Sequence, residues 1–101
     1  MIRLTADHTM DTRDMRAVYC STLMEEAERD PRIVAVDCDL CSSMGMKPFA
    51  ERFPDRHFNV GIAEANGVGI AGGLSVVGLR PFFHTFSASA TRRVFAQILL
   101  T

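Results

Sequence analysis

The sequence predicts an α/β fold, a three-layer arrangement in which a parallel sheet is flanked by helices. Segments with helical spacing alternate with short apolar strands, in the order helix, strand, short helix, strand, helix, strand, helix. That alternation is typical of parallel sheets. The 101 residues, of which 48% are hydrophobic and 23% charged, suit one domain with a single core. We therefore expect an irregular segment at residues 1–13 and one domain at residues 14–101.

The first helix is predicted from apolar residues that recur at helical spacing between Asp14 and Glu28. Asp11 or Thr12 is suited to cap its start, because a short polar side chain can accept a hydrogen bond from the first turn. The Asp30-Pro31 pair should end it, since the residue before a proline is pushed away from the helical conformation.

Three strands and three further helices follow. "RIVAVDCDL" indicates a buried strand that runs into a polar loop, and "KPFAERF" places its proline in the first turn of a short helix. The remaining segments are the strand "HFNV", a buried helix at Ile62–Val77, the turn and strand "GLRPFFHTF", and the final helix "SASATRRVFAQILL". A sheet of three strands and a last helix without a capping residue indicate an incomplete domain.

Charge and composition argue against several classes of partner. The net charge of −1 gives no basic field for nucleic acid or an anionic membrane. Charged and polar residues such as Glu64 and Arg80 interrupt the apolar runs, so no membrane span is expected. The amino-terminal residues lack the apolar stretch of a secretory signal. Three cysteines form no paired framework, which favours a reducing, cytoplasmic setting.

Glu64 is the candidate functional residue that the sequence singles out. It is the last acidic residue of the chain and lies in the apolar, glycine-rich stretch "GIAEANGVGIAGG". Burial raises the pKa of an unpaired carboxyl group, and such a group suits proton transfer. The alternative is a functionally silent carboxylate held by backbone N–H groups at a helix amino terminus.

Two further motifs have plainer interpretations. Gly67, Gly69 and Gly72 form a G-x-G-x-x-G, but the motif lies inside the apolar segment and no acidic residue follows it to bind a ribose. We expect helix packing there, not a dinucleotide site. Cys38 and Cys41 form a C-x-x-C, but no second pair completes a metal site. Structural cysteines are the favoured interpretation, and no metal ligand is assigned.

Several segments resemble one family. "FNVGIAEANGVGIAGGL", "GLRPFFHTF" and "TRRVFAQI" resemble the pyrimidine-binding domain of transketolase, most closely the C-terminal subunit of split two-chain transketolases. "IVAVDCDL" resembles the first strand and loop of that domain, and "MRAVYCSTL" its opening helix. Deoxyxylulose-phosphate synthase and the β-subunit of 2-oxoacid dehydrogenases share the glutamate motif, so they stay open as alternatives.

The resemblance implies a role for each candidate residue. Glu64 matches the catalytic glutamate that hydrogen-bonds N1′ of the aminopyrimidine of thiamine diphosphate, and Phe86 matches the aromatic ring that stacks on that pyrimidine. Asp39 matches a loop aspartate near the cofactor. Arg16 and Ser43 fall where the family places groups for the phosphate of a sugar-phosphate substrate.

The resemblance also implies a partner, because the family holds the diphosphate and Mg²⁺ through a Gly-Asp-Gly…Asn motif that this chain lacks. We expect an oligomer formed with a diphosphate-binding subunit and by homodimerisation through the glycine-rich helix. The implied activity is transfer of a two-carbon ketol unit between sugar phosphates in the pentose phosphate pathway, with the chain inactive alone. A non-catalytic interaction domain is the alternative from another class. Ser89 departs from the family, which often has a second aromatic residue there.

Overall fold

Three parallel strands form the centre of the molecule. The structure, a computed structural model, describes residues 1–4, 6–7 and 9–100. β1 (Ile33–Asp37) lies between β2 (His57–Asn59) and β3 (Arg80–His84), so the strand order is β2-β1-β3. Ala35 pairs with His57 on one side and with Phe82 on the other, both in parallel register. The predicted parallel sheet flanked by helices is confirmed.

The helices also occur in the predicted order. They are α1 (Met15–Arg29), α2 (Lys47–Arg52), α3 (Glu64–Val76) and α4 (Phe95–Leu100), with a π-helical turn at Ser89–Arg93 before α4. Ahead of Met15, no helix or strand occurs in the part of the chain that the structure describes. Within that same part, no helix has the length and apolarity to cross a membrane.

Asp14 caps α1, so the predicted caps Asp11 and Thr12 are wrong. The Asp14 carboxylate accepts a hydrogen bond from the backbone N–H of Arg16 at 3.1 Å. Asp11 is engaged elsewhere, because it accepts from the backbone N–H of Arg13 at 2.8 Å and also pairs with that residue's guanidinium. Asp11, which its spacing made a candidate cap, therefore forms a local ion pair instead.

The core lies on both faces of β1, which is buried along its whole length. Ile33 and Ala35 face a cluster supplied by α1 and α2, whose buried members include Cys20, Leu23, Ala27, Met46 and Phe49. Successive strand residues point to opposite faces. Cys38 continues the other face and approaches α3 at Gly67. The sheet is thus the middle layer. Helices α1 and α2 lie on one face, and α3 lies on the other.

The prediction of a buried helix at Ile62–Val77 is wrong for most of its length. Of the residues in α3, only Glu64 and Gly67 are buried, and Val76 is 88% exposed. Helix α3 meets the sheet at its amino-terminal end, where a glycine allows close approach, and its outer side faces solvent. The G-x-G-x-x-G lies inside this helix, not at the strand-to-helix turn that a dinucleotide site requires.

Gly67→Ala is expected to destabilise the fold by about 1–3 kcal/mol, because it overpacks the contact between α3 and the sheet. A Cβ at Gly67 would lie 2.7 Å from Cε2 of Phe83 and 3.3 Å from Sγ of Cys38. Urea unfolding measures the effect. Gly69→Ala is the matched control, because a Cβ there meets nothing within 4 Å and should stabilise the helix by up to about 1 kcal/mol. Equal effects of the two substitutions would contradict this account of the contact.

Candidate functional site

Three of the predicted site residues follow the carboxyl ends of the parallel strands. Asp39 lies two residues beyond β1, Glu64 begins α3 after β2, and Phe86 lies two residues beyond β3. Ligands of open parallel sheets bind at this edge, where the loops that leave the strands converge. The topology therefore places Asp39 and Phe86, which are 47 positions apart in sequence, along the same edge of the sheet.

Glu64 is buried and paired with an arginine. Its side chain is 9% exposed, and Nη1 of Arg93 donates to both carboxylate oxygens at 3.2 Å. The hydrogen bond from its own backbone N–H lowers the pKa of Glu64, burial acts in the opposite direction, and Arg93 and the Ser89 hydroxyl lower the pKa further. The expectation of a raised pKa and no charged partner is wrong, because Arg93 arrives from 29 residues further along the chain.

Ser89 and Phe86 belong to the same segment as Arg93. Phe86 is 60% exposed, so its ring offers an apolar face to a ligand. The backbone N–H of Ala90 donates to the Phe86 carbonyl at 2.9 Å, which fixes the ring-bearing residue at the start of the last helical segment. Ser89 places a hydroxyl near the Glu64 carboxylate.

Asn59 holds the loop that carries Asp39. The backbone N–H of Asp39 donates to Oδ1 of Asn59 at 2.9 Å, and Nδ2 of Asn59 donates back to Oδ1 of Asp39 at 3.1 Å. The same Asn59 oxygen accepts from the N–H of Gly61 at 2.9 Å. Asp39 has φ = 63°, a left-handed conformation that aspartate tolerates better than most residues. Sequence reasoning missed Asn59, although an asparagine at a strand end is a recognisable turn former.

Arg16 and Ser43, the residues assigned to a phosphate site, contact each other. Nη1 of Arg16 donates to the Ser43 backbone carbonyl at 3.0 Å, although 27 residues separate them in sequence. Both residues are exposed, and Nε of Arg16 lies 3.5 Å from Oδ1 of Asp14. Arg16 is therefore hydrogen-bonded to Ser43, and Glu64 is hydrogen-bonded to Arg93.

A second set of polar residues lies on the α1 side of the sheet. His84 is 5% exposed and shares a hydrogen bond of 2.6 Å between its Nε2 and the Tyr19 hydroxyl. Burial lowers the pKa of His84.

Burial also raises the pKa of the Cys38 and Cys41 thiols, which disfavours the reactive thiolate form. The thiol pKa directions agree with the structural role that the sequence suggested for the cysteines.

Arg93→Met is expected to raise the pKa of Glu64, because it removes a cation and keeps an apolar stem of similar length. A carboxyl group with a lowered pKa stabilises the fold above its ordinary pKa, and this contribution is lost as the pH falls through the lowered value. The variant should therefore lose less stability on acidification than the parent chain. Carbon-detected NMR titration of the Glu64 carboxyl measures the shift. Arg92→Met is the control, and equal titration of Glu64 in all three proteins would rule out the pairing.

Known proteins with the same fold and sequence pattern are transketolases and their relatives. Residues 11–101 match the family described as transketolase, pyrimidine binding domain. The chain is 45% identical over 87 residues to 6-deoxy-6-sulfo-D-fructose transketolase subunit SqwH of Clostridium sp. (strain MSTE9), a match that covers 86% of this chain and 27% of that protein. It is 43% identical over 82 residues to 1-deoxy-D-xylulose-5-phosphate synthase of Desulforudis audaxviator (strain MP104C), covering 81% of this chain and 13% of the synthase.

A solved structure gives the same result. The protein described as split gene transketolase, inactive beta4 tetramer, superposes with a TM-score of 0.74 at 46% identity, over 82% of this chain and 28% of that one. The chain thus spans 13% to 28% of the length of these three relatives. The family match extends over 11–101, almost the whole sequence, and the parallel sheet is the one that the alternation of helices and strands predicted. The chain belongs to the transketolase pyrimidine-binding-domain family.

Proposed function

We propose that this chain supplies the pyrimidine side of a thiamine diphosphate site in a two-subunit transketolase. The reaction is transfer of a two-carbon ketol unit between sugar phosphates. The observation that carries the proposal is a buried carboxylate, Glu64, placed at the start of α3 beside the segment that begins with the exposed ring of Phe86. A hydrogen-bonding carboxylate and an available aromatic face are what an aminopyrimidine ring needs for binding.

The residues present fit this cofactor. Glu64 would hold N1′ of the pyrimidine, Phe86 would offer its ring face, and Asp39 would lie at the edge of the site. The guanidinium that now pairs with Glu64 is no obstacle, because the Arg93 side chain is 61% exposed and can swing into solvent. When bound, thiamine diphosphate supplies the nucleophilic carbon that carries the two-carbon unit.

The task of Glu64 in this site is to hold or release a proton at N1′. Its lowered pKa makes it an anion while Arg93 is in place. Removal of Arg93 from the carboxylate, together with exclusion of water, would raise the pKa and let the group carry a proton. We therefore propose that Arg93 neutralises Glu64 in the cofactor-free chain and leaves it when the pyrimidine binds.

A partner subunit would hold the diphosphate and Mg²⁺, since the chain is similar to a transketolase subunit and to a split-gene transketolase. We propose in addition that α3 pairs with a second copy. Gly69 and Gly73 are exposed, and a Cβ at either meets nothing within 4 Å. Small residues on an exposed helix side allow two backbones to approach closely.

Arg16 and Ser43 are proposed to bind the phosphate of the sugar, a role suited to the forked donors of arginine. A place in the pentose phosphate pathway and a cytoplasmic location complete the proposal. The second candidate is the corresponding part of a deoxyxylulose-phosphate synthase, which the 43% identity to such an enzyme favours. A non-catalytic interaction domain would bind a partner without the cofactor.

Reconstitution tests the proposal. The chain is mixed with a diphosphate-binding transketolase subunit, Mg²⁺ and thiamine diphosphate, and is then supplied with a ketose phosphate and an aldose phosphate, or with a 2-oxoacid donor. Ketol transfer from the ketose phosphate supports the proposed function. Product formed only from the 2-oxoacid, with release of carbon dioxide, identifies the second candidate. Assembly without thiamine diphosphate binding would leave an interaction domain and refute both enzyme functions.

A further inference from the structure

Three potential metal ligands meet on the α1 side of the sheet. Asp37 is the last residue of β1, His57 is the first residue of β2, and Cys41 lies in the loop between β1 and α2. One ligand atom of each residue lies within 4.8 Å of the other two. Asp37 is fully buried, and the other two are partly buried. The sequence motif alone suggested no such set, because it paired Cys41 with Cys38.

Only one oxygen of the buried Asp37 carboxylate has a hydrogen-bond partner among the residues that the structure describes. It is 0% exposed, and its Oδ2 lies 2.5 Å from Nε2 of His57. Its Oδ1 has no hydrogen-bond partner among the residues that the structure describes. Nearby Arg56 does not supply one, because its guanidinium donates to the backbone carbonyls of Ile33 and Ala27. A buried carboxylate oxygen without a donor costs free energy that a cation would recover.

We infer that Asp37, Cys41 and His57 form a binding site for a zinc-type divalent cation. Carboxylate oxygen, thiolate sulfur and imidazole nitrogen are the three ligand types that zinc takes in tetrahedral sites, whereas Mg²⁺ and Ca²⁺ select oxygen. Three protein ligands leave a fourth position for water. In a tetrahedral site with metal–ligand bonds of about 2.1 Å, two ligand atoms lie about 3.4 Å apart. Oδ2 of Asp37 and Nε2 of His57 would therefore move apart to about that distance on binding. Binding releases the Cys41 thiol proton to solvent, and His57 binds through an unprotonated Nε2.

Asp37 and His57 lie on the opposite face of the sheet from α3 and Glu64, although Cys41 shares its loop with Asp39 and Ser43. Asp37 shares its face of the sheet with Ala35, which belongs to the core formed with α1 and α2. Cys38, the next residue, faces the other way, toward Gly67 of α3. A bound metal would therefore tie the end of β1 and the start of β2 to the loop that contains Cys41. The inference does not depend on the proposed transferase function.

Cobalt absorption tests the inference on the full chain after treatment with a chelator. Co²⁺ replaces Zn²⁺ in tetrahedral sites and gives a thiolate-to-metal band that reports directly on a cysteine ligand. We expect one Co²⁺ per chain, displacement by Zn²⁺, and no effect of Mg²⁺. Cys41→Ser should abolish the thiolate band. His57→Gln should weaken Co²⁺ binding more than about tenfold, since even loss of an outer-shell partner of a metal site costs about 10–100-fold in affinity.

Cys38→Ser is the matched control, because it removes the other thiol of the same motif and should leave the band and the affinity unchanged. Far-ultraviolet circular dichroism checks that each variant remains folded. If Cys41→Ser fails to fold, the His57→Gln variant and the stoichiometry of the parent chain still decide the question. Absence of the thiolate band from the parent chain, or loss of the band in Cys38→Ser with retention in Cys41→Ser, would overturn the inference.

Discussion

Glu64→Gln is expected to lower ketol transfer by the reconstituted two-subunit enzyme by about two to four orders of magnitude, the usual contribution of a positioned proton-transfer group. Glutamine keeps the size of the side chain and can still hydrogen-bond the pyrimidine, but it cannot exchange a proton at N1′. The apparent affinity for thiamine diphosphate should change much less than the turnover rate. Steady-state transfer kinetics and cofactor titration by circular dichroism measure the two quantities separately.

Glu25→Gln is the matched control for this substitution. Glu25 is an exposed carboxylate on α1, far in the sequence from the site, and its replacement should leave transfer unchanged. The stability of Glu64→Gln also matters, because this variant loses the ion pair with Arg93. A normal unfolding midpoint together with lost transfer would place the effect in catalysis. Full transfer activity in Glu64→Gln would show that the carboxylate is not the catalytic group.

The parallel sheet could be predicted because its signals are local. Ile33–Val36 is a continuous apolar run, which is typical of a strand covered on both faces, and β1 is indeed buried throughout. Glu64 could be singled out by contrast with its apolar neighbours. Periodicity predicted that residues 62–77 form a helix, but it could not show how much of α3 is covered. Coverage depends on which neighbours pack against the helix.

The partners of the site residues could not be predicted, because they are distant in sequence. Arg93 reaches Glu64 only after β3 and the following turn bring the two elements together, and the lowered pKa follows from that contact. One clue was available, since Arg93 is one of three charged residues after Glu64, all of them arginines. Asp37 gave no comparable clue, because its role depends on the register of neighbouring strands.

Arg56 fastens the end of α1 to the start of β1. Its Nε donates to the Ile33 carbonyl at 2.9 Å, and its Nη2 donates to the Ala27 carbonyl at 2.8 Å and lies 3.4 Å from that of Asp30. Two of these carbonyls belong to the carboxyl end of α1, where a cation also interacts favourably with the helix dipole. The guanidinium lies 4.4 Å from the centre of the Phe53 ring. One side chain thus links α1, β1 and the turn before β2.

Arg56→Ala is therefore expected to lower the free energy of unfolding by about 3 kcal/mol, because partly buried carbonyls lose donors from a charged group. Thermal unfolding should show a midpoint lower by roughly 10–20 °C. Arg56→Lys should recover little of this loss, since an ammonium group cannot reproduce the planar fork. Arg52→Ala is the control, because Arg52 is also near Phe53 but 54% exposed, in a surface pair with Glu28. Such pairs contribute at most about 1 kcal/mol, so equal losses in Arg52→Ala and Arg56→Ala would disprove the special role of the Arg56 fork.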